Sequence, residues 1–433
     1  MDPLLIALAG FVVMMLLIAS HVPIGVAMAL VGVTGFASIV GWGPALSLMA
    51  TEPASSMANL DLAVIPLFIL MGSLAAASGL ASDVYNLANA FVGHRRGGLA
   101  STTIVASAGF GAICGSGVAT TATFGRVAMP EMLRRGYGAD LTSGSIAAGG
   151  TLGIIVPPSS IMILYAVLTE QSVLDLFAAA IVPAVMAIVL FMVAIQVKLI
   201  LDPGAAQRGR KLSMSERAAA VGRGWGVLTL FVAVMGGIYS GIFTVQEGAA
   251  VGVVIAFLLL ILKRRLTWKT LIGVLAEASA GTAMVYIMVF GATIFSYFMA
   301  VTGATSFIVE SISDLPIPPI AVLFLLLLVY IFMGAFFDEV AAMVITLPLV
   351  IPLIQSFGYD LVWWGIVNVV VIGIGMMTPP IGINVMVLNS MYKDIGLRTL
   401  YRGVTPFVIA EIIRLVLLTV FPQITLWLPS VLG

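Results

Sequence analysis

Long apolar stretches separated by short polar turns repeat along most of the 433-residue chain. Because about 20 apolar residues span the hydrocarbon core of a bilayer, this pattern predicts an all-α polytopic membrane protein with about ten crossings. The stretch 82–98 is more polar and ends in His94-Arg95-Arg96, so we expect it to lie at the membrane interface. The predicted membrane helices cover residues 3–20, 23–42, 62–80, 174–200, 225–242, 245–262, 270–300 and 404–428.

Two further apolar stretches, 139–169 and 361–392, cannot be continuous helices. They contain GTLGIIVPP (150–158) and GIGMMTPP (373–380). Glycine loosens a helix, and a proline pair removes two amide donors and clashes with the preceding turn. In hydrocarbon such a break is tolerated only where protein or a water-filled cavity surrounds it. Free carbonyls at a break suit cations and free amides suit anions, so the duplicated breaks indicate the binding centre of a transporter.

Each broken helix follows a stretch that we predict to be a re-entrant hairpin. The first, 99–132, has a small and polar middle, CGSGVATT (114–121), between arms that are short for a crossing. Its tip is expected near Ser116. The second, Pro318–Ile354, has GAFFDE (334–339) at its middle. The two hairpins with their broken helices therefore form a repeated unit.

Proline positions support the repeat. The matched pairs are Pro130 and Pro348 (348−130=218), Pro157 and Pro379 (379−157=222), and Pro183 and Pro406 (406−183=223). A hydrophilic basic loop, 202–223, separates the two halves. The predicted organisation is N-terminal scaffold helices and an interfacial helix in 1–98, a first repeat core in 99–201, a loop and scaffold helices in 202–300, and a second repeat core in 301–433.

Basic residues mark the cytoplasmic side of a membrane protein, so flanking charge predicts the orientation of each hairpin. The first hairpin is flanked by four arginines, Arg95, Arg96, Arg134 and Arg135. The second is flanked by acidic residues, and neither Lys nor Arg occurs between Lys269 and Lys393; the acidic residues are Glu310, Asp314 and Asp360. The hairpins are therefore expected to enter from opposite faces, which makes the two units an inverted repeat.

Composition narrows the class of protein. With 61% hydrophobic residues, 9% charged residues and a mean hydropathy of +1.19, the chain does not resemble a soluble enzyme. One cysteine excludes an internal disulfide, and two histidines, His21 and His94, cannot build a typical zinc site. The chain has no Gly-x-x-x-x-Gly-Lys-Ser/Thr loop, so we do not expect ATP to drive it directly. It also lacks an evident set of nucleophile, base and metal residues, so we do not expect an enzyme.

Backbone carbonyls near a helix break, together with Ser or Thr hydroxyls, supply the hard oxygen ligands that a desolvated Na⁺ needs. We predict two Na⁺ sites where each hairpin turn faces a break. The first comprises Gly111, Cys114 through its carbonyl, and Ser116, facing Gly153, Val156 and Pro158. The second comprises Gly334 facing Gly375, Thr378 and Ile381. The alternative is that these small residues only allow close helix packing.

Hydroxyl groups near the first tip could hold a carboxylate, helped by the amino ends of half-helices. The predicted substrate-binding residues are Ser116, Thr120, Thr121, Ser159 and Ser160. Asp338 and Glu339 are unusual because ionisable groups at membrane depth are costly and usually functional. Asp338 is expected to tune cation binding or accept a proton, unless the tip lies in water. Glu411 is expected to pair with Arg414 on the same helix.

Several motifs resemble the large membrane subunit of tripartite ATP-independent periplasmic (TRAP) transporters, over essentially the whole chain. They are FGAICGSGVAT (110–120), MPEM (129–132), RGY (135–137), GTLGIIVPPS (150–159) and PPIGIN (379–384). The resemblance implies an elevator-type carrier in a bacterial inner membrane, working with a smaller membrane subunit and a periplasmic solute-binding protein. It also implies Na⁺ as the coupling ion at the two sites named above, and no cofactor. Since the family commonly has Ser where this chain has Cys114, only the carbonyl of Cys114 is expected to be a ligand.

The combined prediction is a permease that imports a carboxylate-containing organic acid, a C4-dicarboxylate or similar, together with Na⁺. One alternative is a stand-alone Na⁺- or H⁺-coupled carboxylate transporter or antiporter that needs no partner. The alternatives from another class are an integral-membrane enzyme and a scaffold that transports nothing. Nothing in the composition indicates a nucleic-acid partner, since basic and acidic residues balance at 19 each.

Overall fold

The computed structural model describes residues 2–432, in which the regular structure is helical apart from one isolated β-bridge between Arg96 and Arg208. The helices of the first half are α1 Pro3–Ala19, α2 Ile24–Val40, α3 Trp42–Ala58, α4 Val64–Ser78, α5 Leu80–Val92, α6 Gly98–Cys114, α7 Gly117–Arg134, α8 Ala139–Ile155, α9 Ser160–Thr169, α10 Val173–Leu201 and α11 Met214–Arg223. Those of the second half are α12 Trp225–Phe231, a π-helical turn Val232–Gly236, α13 Gly237–Tyr239, α14 Val245–Leu262, α15 Trp268–Val301, α16 Ala304–Ser313, α17 Pro319–Phe336, α18 Glu339–Ser356, α19 Leu361–Gly375, α20 Ile383–Met391, α21 Leu397–Val420 and α22 Gln423–Leu432. The predicted all-α fold is confirmed.

Four parts of the helix prediction are wrong. Helix α3 was not predicted because it is less apolar than its neighbours and holds Pro53, which the helix accommodates in its interior. Short α16 was also missed. The expected last helix, 404–428, is two helices, because Pro422 disfavours the helical conformation at Phe421 and separates α21 from α22. Within the polar loop 202–223, a capping box of Ser213 and Glu216 starts α11.

Helices α6 and α7 form the first predicted hairpin, and α17 and α18 form the second. The turn of the first is Gly115, which has φ +65°, followed by Ser116. Ser116 caps α7 by accepting a hydrogen bond from Ala119 N, so the second arm begins at Gly117 and includes the polar residues after it. The arms are 17 and 18 residues long in the first hairpin and 18 residues each in the second.

Both predicted helix breaks are present. The first separates α8 from α9 at 156–159, and the second separates α19 from α20 at 376–382. The Pro157–Pro158 and Pro379–Pro380 peptide bonds are both cis. Within residues 2–432, seven helical segments are long and apolar enough to cross a bilayer when α8 and α9 are counted together as one, or up to nine if each of two bent pairs forms one span. The expected count of about ten crossings stays a prediction.

The first halves of the two broken helices lie at the centre of the fold. Every residue from 141 to 155 in α8 and from 363 to 375 in α19 is buried. Helices α6, α7, α10, α17 and α21 pack around them. Helix α15 instead packs on α2 at a glycine contact, where a Cβ added at Gly291 would lie 2.1 Å from the carbonyl oxygen of Gly25. Such small residues let membrane helices approach closely.

The predicted ion pair between Glu411 and Arg414 is confirmed. Arg414 Nη2 contacts Glu411 Oε2, and both side chains are buried. Arg414 Nη1 also donates a hydrogen bond to the carbonyl oxygen of Pro183, at 3.0 Å. The pair therefore ties α21 to α10.

Asp360 caps the amino end of α19, because its Oδ1 accepts hydrogen bonds from Val362 N (2.7 Å) and Trp363 N (3.0 Å). We expect Asp360→Ala to lower the free energy of unfolding by about 1 kcal/mol, since an alanine leaves these amides without a cap. Thermal unfolding in detergent measures the change. Asp314→Ala is the matched control, because Asp314 is an exposed acid that caps no amide; equal effects of the two substitutions would contradict the capping role.

Candidate functional site

The turn of the first hairpin lies against the first helix break. A Cβ added at Gly111 would lie 2.6 Å from the Cα of Gly153, so neither position has room for a side chain. A Cβ added at Gly153 would lie 2.7 Å from the carbonyl oxygen of Ser116. Ser160 N donates a hydrogen bond to the carbonyl oxygen of Gly115, at 3.4 Å. The structure thus brings the hairpin turn and the break together, with backbone oxygens at their contact.

The second hairpin meets the second break in the same way. A Cβ added at Gly375 would lie 2.5 Å from the carbonyl carbon of Gly334, and Gly382 N donates to the carbonyl oxygen of Ala335 at 3.1 Å. Thr378 lies in this break, where its hydroxyl donates to the carbonyl oxygen of Ile374 at 2.6 Å and keeps lone pairs for another partner.

The predicted ligand Ile381 has a different environment from the other break residues. Its carbonyl oxygen accepts a hydrogen bond from the hydroxyl of Tyr401 at 2.8 Å, and the same hydroxyl lies 2.9 Å from the carbonyl oxygen of Pro380. A carbonyl oxygen has two lone pairs, so one of them remains for a cation. An open cavity of about 940 Å³ adjoins this break and is lined by Arg398 and Arg402 as well as Tyr401.

The two junctions match position by position. Gly111 and Gly334 are 223 residues apart (334−111=223), and Gly153 and Gly375 are 222 apart (375−153=222). Ser116 and Asp338 are also 222 apart (338−116=222), and each caps the second arm of its hairpin. These matched positions support the repeat. The opposite orientation of the two units in the membrane stays a prediction.

A cavity of about 700 Å³ lies between the hairpin tips and the helices α4 and α15. Cys114, Ser116 and Ser160 line it at the first junction, and Asp338 and Glu339 line it at the second tip. The remaining charged lining residues are Arg126 on α7 and Glu277 on α15. The first junction and the tip of the second hairpin therefore border one cavity, whereas Thr378 of the second break lines the other.

Glu339 joins the two tips. Ser116 Oγ donates a long hydrogen bond, 3.4 Å, to Glu339 Oε1. The Glu339 side chain is buried, with 7% of the residue exposed, and its Oε2 has no hydrogen-bond partner within residues 2–432. Asp338 differs, because its Oδ1 accepts a hydrogen bond from Ala341 N at 2.8 Å. The expected roles of Asp338 in ion tuning or proton binding stay predictions.

The residues predicted to bind substrate divide into two groups. Ser116 and Ser160 line the cavity. Thr120, Thr121 and Ser159 are fully buried behind its wall, where Ser159 Oγ donates to the carbonyl oxygen of Ile154 at 2.6 Å. The hydroxyls of Thr120 and Thr121 have no partner among the described residues. Any contact of these three side chains with a solute would need a change in the surrounding packing.

The sequence predicts no site role for Arg126 or Glu277, and it marks Glu339 only as an unusual ionisable group beside Asp338. Arg126 forms no ion pair in the part of the chain that the structure describes. A signal was present, because an arginine inside the arm of a membrane hairpin and a glutamate within an apolar helix are costly unless they face water or a ligand. Only the packing of α7, α15 and α18 shows that the three side chains share one cavity.

Comparison with known proteins shows what kind of protein has this fold. A family model described as "Tripartite ATP-independent periplasmic transporter, DctM component" matches residues 11–424. The chain belongs to this family. The C4-dicarboxylate TRAP transporter large permease protein DctM of Pseudomonas aeruginosa is 32% identical over 405 residues, which cover 93% of this chain and 94% of that protein. The sialic acid TRAP transporter large permease protein SiaM of Vibrio cholerae is 31% identical over 386 residues, covering 89% and 90%.

The solutes named for relatives differ. Besides C4-dicarboxylates and sialic acid, other similar permeases are named for isethionate and for ectoine. A solved structure, the YdaH transporter of Alcanivorax borkumensis, is similar in fold, with a TM-score of 0.59 and 16% identity over 88% of this chain and 89% of that one. The protein is thus a TRAP permease subunit of the bacterial inner membrane and not an enzyme, as the sequence motifs predicted.

Proposed function

We propose that this TRAP permease imports a carboxylate-containing organic acid by Na⁺ symport. In this proposal it works with a smaller membrane subunit and receives its solute from a periplasmic solute-binding protein. The observation that carries the proposal is the pair of matched junctions, each with backbone oxygens at a glycine contact. Each lies beside a cavity lined by arginine, Arg126 at the first and Arg398 and Arg402 at the second.

The junctions have the donor set that Na⁺ requires. Hard cations without redox chemistry prefer carbonyl, hydroxyl and carboxylate oxygens. The first junction offers the carbonyl oxygens of Ser116 and Pro158, and the second offers the hydroxyl of Thr378. Glycine at Gly111, Gly153 and their counterparts keeps these oxygens close together by leaving no side chain between the backbones. Broken helices that use such carbonyls for a coupling ion are a recurring device in secondary transporters.

Arg126 supports the choice of a carboxylate-bearing solute. A guanidinium presents planar donors that match a carboxylate in a two-point hydrogen bond. In the described chain Arg126 has no acidic partner, and it lines the cavity. A C4-dicarboxylate is one candidate by analogy with the Pseudomonas relative.

An elevator motion fits the position of the cavity. The proposed moving body consists of the two repeat cores, 99–201 and 301–433, and the proposed scaffold consists of 1–98 and 202–300. The cavity lies between hairpin tips from the first group and α4 and α15 from the second. Sliding of one body against the other would carry the solute and both ions together, because the junctions and the tips lie within the moving body.

Uptake into proteoliposomes tests the proposal. The permease and its small subunit are reconstituted with or without the binding protein, and labelled organic acids are offered under imposed Na⁺ or H⁺ gradients. We expect uptake only with the binding protein and an inward Na⁺ gradient. Uptake by the permease alone would favour the stand-alone carrier, and uptake driven by protons alone would remove Na⁺ and make Asp338 the first residue to substitute.

Thr378→Val tests the second Na⁺ site. The substitution removes one oxygen ligand with little change in volume, so we expect the Na⁺ concentration for half-maximal uptake to rise about tenfold, equivalent to about 1.4 kcal/mol. The control is Thr405→Val, since Thr405 is exposed on α21 and its hydroxyl donates to the carbonyl oxygen of Tyr401. An unchanged Na⁺ dependence in Thr378→Val would exclude that hydroxyl as a ligand.

A further inference from the structure

The central cavity contains more acidic than basic side chains. Among the residues that line it, Arg126 is the basic one, and Glu277, Asp338 and Glu339 are acidic. With each group ionised their formal sum is 1 − 3 = −2. The acids come from two directions, because Glu277 lies on α15 while Asp338 and Glu339 lie at the second hairpin tip. The acidic side chains therefore come both from α15 and from the second hairpin, which border the cavity.

Glu339 is the acidic residue with a buried carboxylate oxygen that has no hydrogen-bond partner among residues 2–432. It is 93% buried, since 7% of the residue is exposed, yet its Oε2 has no partner among residues 2–432. Its Oε1 has a long contact of 3.4 Å from the Ser116 hydroxyl, and the backbone amides of Gly117 and Glu339 face the carboxylate. A buried carboxylate is costly unless it is paired with a cation or protonated. The side chain lines the cavity, so a bound group can reach it.

A dicarboxylate is a poor match for this set of charges. Two Na⁺ at the junctions would bring the formal sum from −2 to 0, so a dicarboxylate would return it to −2, whereas a solute with one carboxylate and one ammonium group would leave it at 0. A solute with one carboxylate and one ammonium group provides a partner for the basic side chain and a partner for the acidic ones. Its carboxylate pairs with Arg126, and its ammonium pairs with Glu339 across from Glu277.

Arg126 and the hairpin tip lie at different heights along α7. Arg126 lies ten residues beyond Ser116 on the same helical arm, which corresponds to about 15 Å along the axis. Helical side chains lean towards the amino end of their helix, and here that end is the hairpin tip. The long Arg126 side chain therefore reduces the separation between its guanidinium and the acids at the tip.

We infer that the solute of this permease carries a protonated amine in addition to its carboxylate, with Glu339 and Glu277 binding the ammonium group and Arg126 the carboxylate. The inference rests on the proposed function, which requires a carboxylate but no amine. It assigns to two acidic side chains a role in choosing between zwitterionic and purely anionic organic acids.

The experiment compares solutes that differ by one amino group. Uptake of L-aspartate and succinate, of L-glutamate and glutarate, and of 4-aminobutyrate and butyrate is measured in proteoliposomes with the small subunit and the binding protein. Occupancy of the binding protein is measured for each solute, so that rates are compared at equal delivery. We expect the amine-bearing member of at least one pair to be transported at least tenfold faster than its partner.

Glu339→Gln and Glu277→Gln then show whether the permease itself, and not only the binding protein, selects the solute with the amino group. Each is expected to lower the ratio of rates within the transported pair at least tenfold, because the amide keeps the shape and removes the charge. Glu310→Gln is the control, since Glu310 is exposed on α16 and does not line the cavity. A merely structural role would slow both members of a pair equally and would overturn the inference.

The outcomes separate the inference from the proposed function. Na⁺-dependent uptake that favours the amine-free members would support the proposed function and refute the amine. Unchanged ratios in both glutamine variants would also refute it. If no member of any pair enters while an amine-free organic acid does so under a Na⁺ gradient, the inference fails and the proposed function stands; if no organic acid enters under that gradient, both fail.

Discussion

Gly375→Ala is expected to reduce transport at least a hundredfold while leaving the amount of folded protein close to wild type. A Cβ at this position would lie 2.5 Å from the carbonyl carbon of Gly334 and 2.7 Å from the carbonyl oxygen of Ile331. Both contacts are backbone atoms, so the second hairpin must move away from the broken helix. The junction oxygens would separate, and the second Na⁺ site would lose its geometry. Initial rates of Na⁺-driven uptake measure the effect.

Gly153→Ala makes the same test at the first junction, where the added Cβ would meet the carbonyl oxygen of Ser116 at 2.7 Å. Gly273→Ala is the matched control, because Gly273 also lies in a helix and a Cβ there would have no atom within 4 Å. Gel filtration of each variant with the small subunit checks assembly. Wild-type uptake by Gly375→Ala would show that close contact of hairpin and break is not needed for transport.

Arg414→Leu is expected to cost about 3–5 kcal/mol of stability, the largest single loss that we anticipate outside the junctions. The substitution leaves the carboxylate of Glu411 buried without a counter-charge, and it removes the hydrogen bond to the carbonyl oxygen of Pro183. Glu411 and Arg414 are only 1% and 2% exposed, so water cannot replace the lost partner. Thermal unfolding in detergent, with and without the small subunit, gives the change.

The double variant Glu411→Leu/Arg414→Leu separates lost charge pairing from lost packing. It leaves no unpaired charge, so we expect it to recover most of the stability that Arg414→Leu loses. Glu411→Leu alone leaves the buried guanidinium unpaired and should resemble Arg414→Leu. A double variant as unstable as either single one would mean that the contact between α21 and α10, and not the charge balance, determines the cost.

The helix breaks and the hairpins could be predicted because their causes are local. A proline pair after spaced glycines interrupts a helix wherever it occurs, and the small residues around Ser116 cannot extend an apolar span. The sequence predicts that Gly111 faces Gly153 and that Gly334 faces Gly375, and both pairs are in close contact in the structure. These features depend only on local residue types and their spacing along the chain.

The cavity could not be predicted because it depends on packing between distant segments. Arg126, Glu277 and Glu339 come from three helices more than 60 residues apart in pairs. A single charged residue within an apolar helix indicates that water, another charge or a ligand faces it, but does not identify which of these it is. The single helix predicted over 404–428 ends instead at Val420, because Pro422 disfavours a helical Phe421 even though the apolar sequence continues.

Direct measurement of Na⁺ binding tests the central claim, that the two junctions are ion sites. Equilibrium binding of radioactive Na⁺ to the purified permease is measured for the wild type, for Thr378→Val and for Gly153→Ala. We expect saturable binding of about two ions per chain in the wild type, with one site weakened in each variant and no competition from K⁺. Binding that does not saturate, or that is the same in all three proteins, would contradict the assignment of the junctions as Na⁺ sites.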